Sequence, residues 1–278
     1  MMKRLLADRM AFLAVCFLVL LIVLGIFAPV IAPFDPDMVN ITNKLAFPSS
    51  VHWFGTDYLG RDVLSRLIYG IRTTLGLALL TMLLTVIIGT FLGVVAGYFQ
   101  GKVDQIIMFI IQSMQAFPNE LMIIIVIGLL GPSMTNLIIG SVLVHWAWYT
   151  RMIRTIVMQF RFQPYIQFAR ISGQSFWQIF KRHIWPNMLP ELLVLTTLDT
   201  GWSILNISTM SFLGLGVQAP QSEWGVMLAQ AKNVMTTQPS QMFAPGFAIL
   251  LTVASLNYLG DFFRDSLHPK YVDKLDKS

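Results

Sequence analysis

Two carboxylates, those of Asp199 and Glu120, interrupt long apolar stretches of the sequence. A charge at the depth of a lipid bilayer is costly unless it faces water or a polar partner, so both need an explanation. Glu120 follows Pro118, which is expected to kink its helix and free backbone groups. We predict that both carboxylates line a hydrated path across the membrane. The alternatives are a hydrogen bond to a neighbouring helix for Asp199 and, for Glu120, a purely structural position at a helix bend in a hydrated cavity.

Histidine and cysteine supply most metal ligands in proteins, but their spacing here does not indicate a metal site. Cys16 is the only cysteine and lies in an apolar run, so the chain forms no internal disulfide. His145 is a further candidate for the transport path, with a packed residue at the membrane interface as the alternative. We predict neither a metal site nor a catalytic residue, because the histidines are far apart and have no ligand-like partner at helical spacing. They are His52, His145, His183 and His268.

The segment 97–102, Gly-Tyr-Phe-Gln-Gly-Lys, superficially resembles a phosphate-binding loop. Its glycine spacing is one residue short, and Val103 stands where that loop requires a hydroxyl side chain. We therefore predict that the chain has no nucleotide-binding loop of its own.

A stripe of glycines predicts close helix packing. Every fourth residue lies on nearly the same face of a helix. Glycine there lets a second backbone approach closely, which matters in lipid because the bilayer gives helices no hydrophobic reason to associate. The stripe packs either against another helix of this chain or against a second subunit. It consists of Gly89, Gly93, Gly97 and Gly101.

Composition defines the class of protein that positions these residues. The 278 residues are 55% hydrophobic and 12% charged, whereas an average soluble domain has about 25% charged residues. This excludes a soluble globular enzyme, a disordered protein and a disulfide scaffold, and leaves a polytopic integral membrane protein. The net charge of +5 does not indicate nucleic acid, because the basic residues follow membrane topology.

The apolar runs predict an all-α membrane protein with six transmembrane helices in one domain, residues 1–278. A spanning helix needs about 20 apolar residues, and Gly131-Pro132-Ser133 marks a turn that splits the longest run. The first span is predicted to be retained rather than cleaved as a signal peptide, because its apolar region exceeds about 15 residues. The predicted spans are residues 10–32, 73–100, 105–130, 134–150, 190–214 and 241–260.

Lysine and arginine orient these helices. With six spans both termini lie on one side, and 14 of the 19 basic residues fall there. The positive-inside rule makes that side cytoplasmic. Segment 151–186 carries six basic and no acidic residues and faces the cytoplasm. The C-terminal contribution to this asymmetry comes from Arg264, Lys270, Lys274 and Lys277.

An amphipathic helix is predicted over residues 60–72, on the outer face of the membrane before the second span. One helical stripe is apolar and the remaining positions are polar. The apolar stripe consists of Val63, Leu64, Leu67, Ile68 and Ile71, and the polar positions are Arg61, Asp62, Ser65, Arg66 and Arg72.

The cytoplasmic segment 156–186 resembles the coupling loop of ABC-importer permeases. That pattern runs Glu-Ala-Ala, three residues, Gly, nine residues, then Ile-x-Leu-Pro. Ala169, Gly173 and Pro186 match it in register, while Gln167 replaces the glutamate. Two short helices joined at a glycine can present a compact knob; the alternative is an amphipathic helix on anionic lipid. The resemblance implies that the residues coupling to an ATPase are Gln167, Phe168, Ala169, Arg170, Gly173, Phe176 and Pro186. We also predict an apolar plug, a set of side chains that would fill an apolar groove of a partner. It consists of Phe168, Ile171, Phe176, Ile179 and Phe180.

Further stretches resemble the dipeptide, oligopeptide and nickel permease family. They are residues 52–62 and 211–228, together with Ala116-Phe117-Pro118. Residues 145–152, 197–199 and 237–243 are most similar to nickel-type permeases and to importers of metal–metallophore complexes such as metal–staphylopine. The resemblance implies a permease subunit of an ATP-driven, binding-protein-dependent importer in the bacterial cytoplasmic membrane. Its implied cargo is nickel, cobalt or zinc as a chelate, with dipeptides or oligopeptides as the alternative.

The same resemblance implies the partners. They are a second permease subunit, two cytoplasmic ATPases that carry ATP and magnesium, an extracytoplasmic substrate-binding protein and membrane lipid, without nucleic acid. This chain would bind no cofactor and catalyse no reaction itself. A secondary transporter is less favoured because the sequence shows no inverted repeat. A membrane-embedded enzyme is less favoured because no nucleophile–base or metal constellation is visible.

Overall fold

The computed structural model describes residues 2–267, and within them the chain is helical and contains no strand. His268, Lys270, Lys274 and Lys277 lie outside the described residues. The helices are α1 (Met2–Ala7), α2 (Arg9–Ile26), α3 (Ala28–Ile31), α4 (Val63–Phe99), α5 (Gly101–Gln115), α6 (Asn119–Leu130), α7 (Met134–Arg161), α8 (Pro164–Ile171), α9 (Phe176–Ile179), α10 (Trp185–Phe212), α11 (Trp224–Ala231) and α12 (Ser240–Leu267).

Three helices of the described chain, α2, α4 and α12, are long and apolar enough to cross a membrane. Helices α5 and α6 form a fourth span if they are counted as one broken element, and they are bent by 86° relative to each other. The break falls at residues 116–118, and Pro118 directly precedes the first residue of α6, so the helix is interrupted here rather than merely kinked. Helices α7 and α10 overlap the remaining two predicted spans, and each has 28 residues.

Helix α4 differs from the sequence prediction because it is one continuous helix of 37 residues, about 55 Å long. We predicted a separate surface helix at 60–72 followed by a span from residue 73. Asp62 caps the helix by accepting a hydrogen bond from the Ser65 backbone N–H at 2.8 Å. No proline interrupts the chain from there to residue 99, so the helix continues directly into the apolar run.

Four of the five polar positions predicted for the amphipathic helix are buried, and Arg72 is exposed. Arg61 and Arg66 are each 1% exposed. The Arg61 guanidinium pairs with Asp57 at 2.7 Å and reaches Gln230 at 3.1 Å. Arg66 donates to the carbonyl oxygens of Pro36 at 3.1 Å and Pro220 at 3.2 Å. The predicted orientation of the spans places two segments on the outer side, 33–72 and 217–238. Residues of these outer segments that lie outside α4 cover its first turns and are joined to it by buried, paired charges.

The glycine stripe packs α4 against α7 of the same chain. A Cβ added at Gly93 would lie 2.7 Å from the Ile153 Cβ and 2.8 Å from the Thr150 carbonyl oxygen. One at Gly97 would lie 2.8 Å from the Arg154 carbonyl oxygen, and Gly89 is similarly crowded by Tyr149 and Thr150. Gly101 is the exception: it begins α5 with a φ of +63° and has open space around it.

Candidate functional site

A cavity of about 290 Å³ brings together the three residues that the sequence places on the transport path, Asp199, Glu120 and His145. These residues come from three different helices. Its lining residues are Met82, Asn119, Glu120, His145, Trp148, Tyr149, Asp199, Trp202, Ser203 and Asn206.

Helical spacing positions the two long walls of the cavity. Helix α10 supplies Asp199 and then the residues three, four and seven positions later, which share one face. Helix α7 supplies His145 and the residues three and four positions later in the same way. Glu120 lies in the first turn of α6, directly after the break at Pro118. The start of α6 therefore places this carboxylate in the cavity wall.

Three polar atoms of the cavity wall are buried without a hydrogen-bond partner in the described part of the chain. They are the Tyr149 hydroxyl, Asp199 Oδ2 and Asn206 Oδ1. Tyr149 is only 2% exposed, and its hydroxyl comes near the Asp199 carboxylate. Since buried polar atoms in proteins are nearly always paired, this group marks a space suited to a polar ligand or to water.

The cavity does not have the ligand set of a metal centre. Among residues 2–267, no three His, Cys, Asp or Glu side chains come together in a way that would hold a metal ion. The two carboxylates and the histidine of the cavity therefore line a polar wall rather than forming a coordination shell.

The other seven cavity residues were not predicted from the sequence: Met82, Asn119, Trp148, Tyr149, Trp202, Ser203 and Asn206. Tyr149 follows His145 by four positions, and Asn206 follows Asp199 by seven. That spacing is a usable signal, because side chains at i+4 and i+7 share a face with the first. The spacing identifies these residues as cavity residues only once α7 and α10 are known to face each other.

The predicted coupling loop folds as α8 and α9 on either side of Gly173, but only α8 is a separate short helix. Helix α9 continues through a π-helical turn, Phe180–Ile184, directly into α10. Gly173 has a φ of +78°, and no atom lies within 4 Å of where a Cβ would project. The start of α9 carries a capping box, in which the Ser175 and Gln178 side chains each bond the other's backbone N–H. The loop therefore forms a defined turn whose apex is open to an approaching partner.

One side of the coupling loop is exposed and apolar. Phe168 is 72% exposed and Ile171 is 85% exposed, and Trp177 is also exposed. Gln167, Arg170 and Pro186 are exposed beside them. Large exposed apolar side chains grouped on one element are typical of an interaction surface.

The other side of the loop packs against the rest of the permease. Only part of the predicted apolar plug is therefore available to a partner. Ile179 is fully buried, and Phe176 and Phe180 are partly buried. Phe176 packs on the Tyr98 ring at 4.7 Å between centroids, and the Arg170 guanidinium lies 5.6 Å from the same ring. Ala169 is buried in the same apolar cluster. The loop is thus fixed to the C-terminal end of α4.

Comparison with known proteins identifies the family. Residues 89–273 match the family described as binding-protein-dependent transport system inner membrane component. Residues 1–48 match the N-terminal transmembrane domain of oligopeptide transport permease C. The chain belongs to the binding-protein-dependent transport permeases. The permease is therefore a multi-pass protein of the bacterial inner membrane and a transport component rather than an enzyme, and its family implies ATPase and substrate-binding partners in general terms.

Curated relatives match this permease over most of its length. The nickel transport system permease protein NikC of Escherichia coli is 42% identical over 240 residues, which cover 86% of this permease and 87% of NikC. The metal-staphylopine import system permease protein CntC of Staphylococcus aureus is 41% identical over 273 residues, which cover 98% of this permease and 94% of CntC. The dipeptide transport system permease protein DppC of Alkalihalophilus pseudofirmus is 37% identical over 268 residues, which cover 96% of this permease and 88% of DppC.

A solved structure shows the same fold. A chain of the MetNI methionine ABC transporter, in an inward-facing conformation, aligns with a TM-score of 0.58 and 16% identity, covering 71% of this permease and 94% of that chain. At this identity the likeness concerns the fold of the permease and not its cargo.

Proposed function

We propose that this permease is a membrane subunit of an ATP-driven importer that carries nickel or other transition metals as metal–chelate complexes. The observation that supports this most is the similarity, over nearly the whole chain, to a metal-staphylopine permease and to a nickel permease. Cobalt and zinc are the other metals that we propose as cargo. A cavity with polar walls but no coordination shell is consistent with a metal that arrives already chelated.

A dipeptide or oligopeptide importer is the second candidate. The 37% identity to a dipeptide permease over 96% of the chain supports it. Both candidates share the family architecture and differ only in cargo, so cargo uptake is what separates them.

We propose six membrane spans, formed by α2, α4, the α5–α6 pair, α7, α10 and α12. Helices α7 and α10 have 28 residues each, about 42 Å, which exceeds the roughly 30 Å of a hydrocarbon core. The bias of basic residues toward segment 151–186 and the termini supports a cytoplasmic location for both ends and for the coupling loop.

The proposed complex contains a second permease subunit, two cytoplasmic ATPases that bind ATP and magnesium, and an extracytoplasmic binding protein. The exposed side chains Phe168 and Ile171 dock on an ATPase, while the buried side of the loop holds it to α4. Closure of the ATPases moves the loop, and the helices rock as rigid bodies between two states. The cavity containing Asp199, Glu120 and His145 is part of the cargo path in this proposal.

Cargo uptake by the reconstituted complex tests the proposed function. Proteoliposomes with the permease and its partner subunits are supplied with radiolabelled nickel, cobalt and zinc, each free and chelated, and with a labelled dipeptide. We expect ATP-dependent uptake of chelated metal that an excess of dipeptide does not suppress. ATP-dependent dipeptide uptake without metal uptake would establish the second candidate instead.

A further inference from the structure

The wall between α7 and α10 presents hydrogen-bond acceptors that the chain itself leaves unused. Asp199 Oδ2 and Asn206 Oδ1 accept hydrogen bonds, and the Tyr149 hydroxyl either accepts or donates. Among the described residues, Asn206 Oδ1 and Asp199 Oδ2 are buried without a donor within hydrogen-bond geometry, the Tyr149 hydroxyl lies next to the Asp199 carboxylate, and all three side chains line the same cavity. The partner that would satisfy them is a hydrogen-bond donor, and a charged donor makes the strongest bond to a carboxylate.

The charges around the cavity also favour a cation. Asp199 and Glu120 are carboxylates and His145 is the only basic side chain in the lining, which includes neither lysine nor arginine. An anionic group entering here would meet two negative charges in a space partly shielded from water, where electrostatic interactions are stronger than in bulk solvent.

Aromatic rings share the cavity with the acceptors. Trp148 and Trp202 line the same cavity as Tyr149 and Asp199, one from each long helix. The faces of tryptophan rings attract cations, and the attraction increases when the cation is desolvated. Carboxylate, hydroxyl and indole faces together are suited to a cationic nitrogen that carries N–H groups.

We infer that this cavity recognises an N–H donor group of the cargo whose nitrogen is either protonated or bound to a metal. This inference rests on the proposed transport function and names the chemical class that the transport path selects. Two sources supply that chemistry: a free protonated amine, and an amine coordinated to a metal, whose N–H groups become stronger donors as the metal withdraws electrons. Recognition runs through hydrogen bonds to the cargo's nitrogen, and the metal keeps its own ligands.

The experiment uses cargo pairs that differ only at nitrogen. Nickel–iminodiacetate keeps one N–H, and nickel–N-methyliminodiacetate has the same charge and no N–H. Alanyl-alanine carries an ammonium group, and N-acetyl-alanyl-alanine does not. Binding of each radiolabelled compound is measured on the purified complex in lipid nanodiscs, and uptake is measured in proteoliposomes.

Three variants locate the effect. Asp199→Asn keeps the shape and removes the charge, and Tyr149→Phe removes one hydroxyl. Thr209→Val is the matched control, because Thr209 lies on the same helix α10 outside the cavity and bonds only the Leu205 carbonyl one turn before it. Equal abundance and an unchanged elution volume of each complex establish folding.

The wild-type complex is expected to prefer nickel–iminodiacetate over its N-methyl analogue, or alanyl-alanine over its N-acetyl derivative, whose amide N–H is uncharged, by about tenfold, as expected for a charge-assisted hydrogen bond. Asp199→Asn removes most of that preference, Tyr149→Phe removes part of it, and Thr209→Val leaves it intact. Equal binding within both pairs, or an equal loss for all four compounds in Asp199→Asn, overturns the inference.

The two proposals fail separately. If only the peptide pair is transported and its N–H preference depends on Asp199, the metal cargo is wrong and the recognition chemistry stands. If nickel complexes are transported without an N–H preference, the cargo is right and the recognition chemistry is wrong. If the complex with all partners transports none of the four compounds, both proposals fail.

Discussion

At the scale of single residues, the buried charges of this permease fall into two groups. Arg61 and Arg66 are buried with ionic and carbonyl partners. Removing one member of such a group would strand the other in a low-dielectric environment, so these residues stabilise the fold. Asp199 and Tyr149 instead leave polar atoms unpaired toward a cavity. Unpaired polar atoms do not stabilise a fold, which is why we assign them to cargo.

Glu223 belongs to the group with hydrogen-bond partners, but the partners described for its carboxylate are neutral. Its carboxylate accepts hydrogen bonds from Thr74 at 3.1 Å, Ser208 at 3.2 Å and the Val226 backbone N–H at 2.9 Å. It therefore ties α4 and α10 to the start of α11. Burial raises the pKa of Glu223 above its ordinary value, against the opposing effect of these hydrogen bonds.

The thermal stability of the permease is expected to carry a pH-dependent contribution from Glu223. A carboxyl whose pKa is higher in the folded state stabilises the fold fully below its ordinary pKa, and this contribution is lost as the pH rises through the folded-state value. Glu223→Gln removes the titration. Melting of the detergent-solubilised protein should therefore depend less on pH in the variant than in the wild type above about pH 4.3. An identical pH profile for the two proteins would contradict this expectation.

Gly173→Arg is expected to leave complex assembly intact while uncoupling ATP hydrolysis from transport, because the new side chain projects from the exposed apex of the loop. Gly173→Ala is the matched control. It shares the strain of a positive φ, about 1–2 kcal/mol, but adds only a methyl group in open space. Substrate-stimulated ATPase activity and uptake are measured on equal amounts of complex. Wild-type values in Gly173→Arg would show that the loop apex does not couple.

At the scale of elements, α4 connects the two ends of the molecule. Its first turns are enclosed by the outer segments, its glycines contact α7, and Tyr98 at its end packs against the coupling loop. Asp104 in α5 pairs with Arg154 of α7, with Nη2 to Oδ2 at 2.6 Å, next to the end of α4. A movement of the coupling loop therefore reaches α7, and with it one wall of the cavity, through contiguous contacts.

Gly93→Leu is expected to destabilise the permease by about 1–3 kcal/mol or to reduce its abundance in the membrane, because the side chain has no room against Ile153. Gly76→Leu is the control. Gly76 lies on the same helix, is exposed and has no atom within 4 Å of an added Cβ. Thermal unfolding in detergent compares the two variants. Equal melting temperatures would mean that the α4–α7 contact tolerates separation.

At the scale of the whole molecule, apolar surface faces outward along the helices, while polar contacts gather inside and at the ends. Many leucine, isoleucine and phenylalanine side chains of α2, α4 and α12 are exposed. This is the distribution expected for helices whose outer surface meets lipid. The two clusters of buried apolar residues lie at the outer segments and at the coupling loop.

Cysteine labelling tests the proposed orientation. In a Cys16→Ser background, Phe168→Cys should react with a membrane-impermeant maleimide only when the cytoplasmic face is accessible, as in inverted vesicles. Trp53→Cys should react only when the extracytoplasmic face is accessible to the maleimide, as in right-side-out vesicles. Both side chains are exposed, so burial does not limit the reaction. Labelling of both from the same side would refute the six-span topology.

The sequence by itself determined the class of protein, the approximate apolar runs and the turn between helices at Gly173. It also located a distortion at Pro118, although it predicted a kink where the structure has a full break. These features depend on local composition and on the backbone preferences of proline and glycine, which act over a few residues. Asp199 and Glu120 were also recognisable, because a charge within an apolar run is visible without a fold.

Only the tertiary structure decided where the polar groups lie relative to one another. Arg66 looked exposed on a helical wheel, yet carbonyl groups 30 residues before it and 154 residues after it enclose it. Tyr149 follows Trp148 in the sequence of α7, and only the fold brings it to the same cavity as Asp199 of α10. Helical periodicity defines the faces of one element but not which faces meet, and the meeting of α7 and α10 is what turns scattered polar residues into a cavity.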